Sequence, residues 1–130
     1  RAATGDVILG VMTSCVPATR DSPVYRAAST LTIVNVCDDP LVLFEMQESA
    51  AGTALTANDI GLNANFVVAN ASTTTGLSAT TLDNSTEATT NTLALKIVGL
   101  APKPNNAVGD SANWYVRINR HRYVDQLAGV

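Results

Sequence analysis

The sequence predicts an all-β domain, a small barrel or sandwich with long polar loops, and three observations carry that prediction. Apolar and polar residues alternate in short stretches, most clearly from Trp114 to Asn119, the period-two signature of a strand with one buried face. Clusters of Gly, Pro, Asn and Ser separate these stretches, and no helical period is sustained between them. Threonine occurs 16 times in 130 residues, and its branched Cβ favours extended backbone.

The elements follow in order. Gly5 to Val16 reads as a strand, bent at Gly10 and stopped at Pro17, with a polar loop from Ala18 to Pro23. Ser29 to Cys37 alternates with apolar residues on both faces, as for a strand covered on two sides. Asp38-Asp-Pro40 is a turn, because aspartate bonds nearby backbone and proline cannot donate to a ladder. Leu41 to Glu48 is the next strand, and a hairpin with its predecessor is the simplest topology. Thr53 to Asn63 holds the single plausible helical turn: Thr56 to Asp59 has capping character and Gly61 follows at once. Asn65 to Ala69 and Ser78 to Leu82 are brief strands around a loop tip at Ser72 to Gly76. Asn84 to Asn91 is polar loop. Leu93 to Leu100 places Leu93, Leu95 and Ile97 opposite Ala94, Lys96 and Val98. Two prolines then keep 101–106 extended. The strand at Trp114 comes last, and 124–130 is a tail without pattern.

The length fits one domain over 1–130, with a core of useful size. Net charge is −3, which disfavours nucleic acid as the main partner. The charge is also uneven. No lysine or arginine lies between Ala27 and Leu95, where seven acidic residues fall, while Arg117, Arg120 and Arg122 cluster near the far end. Such polarity suits subunits that tile against complementary neighbours. Cys15 and Cys37 stand 22 residues apart with no metal-ligand spacing; free buried thiols are the default reading and a disulfide stays open. No apolar run approaches the ~20 residues of a membrane helix. An opening Arg1 suggests a trimmed start, with 1–4 as the remnant of an N-terminal arm.

Catalytic chemistry lacks its partners. His121 is the one histidine, so neither a His-based metal site nor a triad has support, and no phosphate-binding glycine loop or nucleophile elbow occurs. Glu45 and Glu48 are three apart, which on a strand puts them on opposite faces. No cofactor, metal site or enzyme activity is expected. The basic cluster with Tyr123 reads best as a protein interface, since arginine and tyrosine are enriched at binding surfaces and the guanidinium fork matches carboxylates. Asp38 and Asp39 complete the set of candidate contacts on the acidic side, with Arg117, Arg120, Arg122 and Tyr123 on the basic side.

The order of several segments carries a resemblance. These are Tyr25-Arg-Ala-Ala-Ser-Thr30, Val36-Cys-Asp-Asp-Pro-Leu-Val-Leu-Phe-Glu-Met-Gln-Glu48, Asp59-Ile-Gly-Leu-Asn-Ala64 and Thr75-Gly-Leu-Ser78. Leu95-Lys-Ile-Val-Gly-Leu100, Pro104-Asn-Asn-Ala-Val-Gly109 and Val116-Arg-Ile-Asn-Arg-His121 continue the series. Together they resemble the capsid cement, or head decoration, proteins of tailed bacteriophages. The resemblance implies a compact jelly-roll or related fold and a structural role on the outer surface of the virion. It also implies the major capsid protein and further copies of the chain, as dimer or trimer, as partners. The alternatives are a tail or neck component and a host-surface or glycan-binding module, for which the Asn- and Thr-rich loop of 69–75 would serve.

Overall fold

The computed structural model describes residues 3–16, 19, 21, 24–124 and 126–130. The polar loop expected at 18–23 and the strand stop at Pro17 lie largely outside them. The domain is all-β, with antiparallel strands in three small sheets and no α-helix among the described residues. The sheets do not close into a barrel, and the arrangement is that of a small sandwich-like fold.

The first sheet is a two-stranded ribbon of β1 (Val11–Val16) and β2 (Ile33–Cys37). The central sheet contains β3 (Phe44–Gln47), β4 (Asn63–Ala64), β7 (Leu95–Leu100) and β8 (Asn113–Ile118), in the order β3-β8-β7-β4. The third pairs β5 (Phe66–Val67) with β6 (Thr81–Leu82). The expected hairpin of β2 with β3 does not form. β2 pairs back to β1, and β3 runs along the edge of β8, with Phe44 opposite Val116 and Gln47 opposite Asn113. Phe44 and Met46 thereby reach the same core as Trp114, whereas a hairpin with β2 would leave that edge uncovered.

Alternation along β8 sets the core. Trp114, Val116 and Ile118 point inward with Leu95 and Ile97 of β7, and Leu55, Phe66, Leu82, Ala94 and Ala112 close over them. Each buried Val, Leu, Ile or Phe side chain among them contributes about 1.5–3 kcal/mol. The helical turn expected after Thr53 is a 3₁₀ turn at Ala57–Asp59, closed by a capping box: Asp59 Oδ2 accepts from the Thr56 N–H (2.7 Å), and Thr56 Oγ1 accepts from the Asn58 N–H (3.2 Å). Loops are tied by asparagine amides that replace strand pairing. Asn106 Nδ2 donates to the Ala101 and Asn113 carbonyls, each at 2.8 Å, and stitches the proline-bearing loop between β7 and β8.

The bend at Gly10 has a structural cause. Before it, Ile8 runs parallel to the chain just past β8, its N–H donating to Arg120 and its carbonyl accepting from Arg122. After it, the chain turns into the ribbon. A side chain at residue 10 would drive its Cβ into the Cys37 carbonyl, so only glycine fits the approach.

Candidate interaction surfaces

The basic end is built by β8 and the chain that leaves it. Tyr115 and Arg117 fall on the outward parity of β8, and the pairing places Arg117 opposite Lys96 and Lys96 opposite Asn63. The tail crosses this outward row. Asn63 Nδ2 donates to the Leu127 carbonyl (2.8 Å), Lys96 Nζ to the Ala128 carbonyl (3.1 Å), and the Val130 N–H to Gly61. The segment that seemed patternless is thus pinned from Leu127 to Val130. Asn119 holds its start, accepting from the Leu127 N–H at 3.1 Å while its amide donates to Asn91 and Leu93.

The candidate contacts do not act as one cluster. Arg117 is half-buried and lines a cavity of about 200 Å³ with Pro40, Leu41, Ile118, Asn119, Val124 and Leu127. Arg120 turns back into the molecule, where Nη1 donates to the Gly5 carbonyl and Nε is buried without a partner. It anchors the segment ahead of Gly10 rather than presenting a charge outward. Arg122 and Tyr123 are exposed. Asp38 and Asp39 are exposed in the turn expected of them, with Asp39 Oδ1 accepting from the Leu41 N–H at 2.8 Å. That turn carries Pro40 and Leu41 to Arg117, so the structure brings Arg117 and the acidic turn to one end of the domain. Asp38 and Asp39 form no ion pair with Arg117; the ion pair found among the described residues joins Lys103 to Glu45, at 2.5 Å.

The buried polar side chains are Glu48, Asn63, Asn84, Asn119 and His121. Glu48 is 1% exposed, and its Oε2 accepts from Trp114 Nε1 (2.9 Å) and from the Leu55 N–H (3.3 Å), while Oε1 has no partner. Burial pushes its pKa above the ordinary glutamate value, opposed by those two hydrogen bonds. Glu45, three residues earlier, faces solvent as the strand period requires. His121 is buried with Nδ1 accepting from the Tyr123 N–H, which leaves the proton to Nε2. Among the described residues no group of three His, Cys, Asp or Glu is placed to hold a metal ion. Cys15 and Cys37 are free, at opposite ends of the ribbon: Cys15 faces Val34 and Cys37 faces Val11.

The surface that periodicity missed is the ribbon itself. The strand from Ser29 to Cys37 was expected to be covered on both sides. Instead Val11, Met12, Val16, Ile33 and Val36 are exposed, Ile33 by 69%, and neighbouring Val7, Leu9, Val24, Leu31, Leu41 and Leu43 are exposed as well, Leu31 by 98%. Among the described residues from 3 to 43, Cys15 is the only buried apolar side chain. Apolar residues on both faces and the lack of charge on either strand read as burial in the sequence, because pattern alone does not say whether anything in the same chain supplies the cover. Compared with protein-family models, with curated proteins and with solved structures, the chain matches none of them.

Proposed function

We propose that this chain is a structural virion protein that binds the outside of a phage capsid and cements neighbouring major capsid subunits. The resemblance of its ordered segments suggests the setting, and the apolar ribbon is the observation that carries the role. An isolated pair of strands is marginal in water, and its four unpaired edges and faces invite another chain. Eleven large apolar side chains between Val7 and Leu43 are exposed. Apolar exposure concentrated in one part of the chain marks an interaction surface, unlike apolar residues scattered singly.

A shell of many identical joints suits such a surface. Each contact is modest, yet several footholds per assembly raise the effective concentration of the remainder. Binding only the assembled shell stabilises that state by mass action. The ribbon is the surface for the capsid or for adjoining copies, and the body of the domain is a rigid spacer that loses little entropy on docking.

Co-sedimentation with purified heads tests this. The chain should travel with heads, raise their resistance to heat, and show no affinity for host cells. Ile33→Asp should lower head occupancy at least tenfold while the isolated domain keeps its β-sheet circular dichroism. Full occupancy by that variant would remove the ribbon from the interface, and binding to host cells without binding to heads would replace cementing with a host-surface role.

A further inference from the structure

We infer that the cavity beside Arg117 is a recognition site for a protein segment presenting one aliphatic side chain next to one carboxylate. Its walls are apolar apart from Arg117 and Asn119, and Asn119 is already committed, its oxygen to Leu127 and its amide to Asn91 and Leu93. The volume, about 200 Å³, exceeds the ~150 Å³ of an engineered cavity that admits a benzene ring. A leucine-sized group fits.

The charge arrangement selects what accompanies that group. The Arg117 side chain makes no hydrogen bond or ion pair among the described residues, and it sits directly across the strands from Lys96. Like charges placed opposite each other are destabilising. Lys96 is turned to the Ala128 carbonyl, an acceptor without net charge, so neither cation is neutralised. A carboxylate at the mouth of the cavity relieves that repulsion and meets the guanidinium fork in its preferred bidentate geometry. Asp38 and Asp39, exposed in the turn just before Pro40, add negative charge at the same end of the domain. The complement is therefore one acid beside one aliphatic group, not an acidic run. This site shares Leu41 with the exposed apolar surface but does not rest on the capsid reading.

N-acetyl-L-leucine supplies both halves of that complement, and its amide supplies only one. Titrated into the isotope-labelled full chain, N-acetyl-L-leucine should shift the Arg117 Nε–H signal and the Ile118 and Leu127 methyl signals saturably. N-acetyl-L-leucinamide and N-acetylglycine should bind at least tenfold more weakly. Arg117→Gln should erase the preference for the acid over the amide while leaving the rest of the spectrum in place. Equal affinity for acid and amide in the unmodified chain, or the absence of saturable shifts at these residues, would overturn the proposal. The comparison between probes needs no variant, so it stands even if the substitution disturbs folding.

Discussion

Glu48→Gln should make the domain's stability less sensitive to pH, and Glu48→Ala should cost a large part of that stability. The alanine variant leaves the Trp114 Nε1–H and the Leu55 N–H without their acceptor inside the core. An orphaned buried donor costs about 1–3 kcal/mol, so the pair and the small void together cost about 3–5 kcal/mol. For a domain of this size each kcal/mol lowers the Tm by roughly 4 °C, giving a fall of about 12–20 °C. The glutamine variant keeps an oxygen for Trp114 and removes only the charge. Because burial raises the Glu48 pKa, the native state holds its proton more tightly than the unfolded chain. Native stability from this group is therefore fully present below the unfolded value of 4.5 and is lost as pH rises through the higher folded value. Glutamine does not titrate. Urea unfolding of both proteins from pH 4 to pH 8 should show the variant gaining on the wild type across that window, then a constant difference above it. Parallel stability curves would refute burial as the dominant influence on Glu48.

Further outcomes are expected elsewhere. Gly10→Ala should disturb the ribbon, since the added Cβ meets the Cys37 carbonyl; amide exchange of β1 and β2 should quicken while that of β8 holds. Arg120→Gln should release the chain ahead of Gly10, and the Ile8 and Arg122 amides should lose exchange protection together, because both belong to the same parallel bridge. Asp59→Ala removes the acceptor of the Thr56 N–H and should cost about 1 kcal/mol, read as a shift in the urea midpoint at unchanged slope. Cys15 and Cys37 should remain two titratable thiols under mild oxidation of the monomer, as their positions at opposite ends of the ribbon require.

Local chemistry alone determined much of this protein. The period along Trp114 to Ile118 placed three side chains in the core, the capping residues Thr56 and Asp59 located the helical turn, and Asp38 to Pro40 marked a turn. Each of these depends on neighbours a few residues away, where sterics and hydrogen-bonding capacity are written in the sequence itself. Pairing between distant segments was not legible in that way. β2 and β3 stand close in the chain and both read as strand, yet they join different sheets. Phe44 and Met46 are drawn to the edge that Trp114 and Val116 offer from far along the chain, and the same alternation would have suited a hairpin equally well. Arg120 and Arg122 likewise differ by two residues and share a charge, but one is folded inward to Gly5 and the other is left in water. Strand identity follows from the backbone period. Partner, face and exposure follow from which distant apolar surface is nearest to be covered, and only the folded chain decides that.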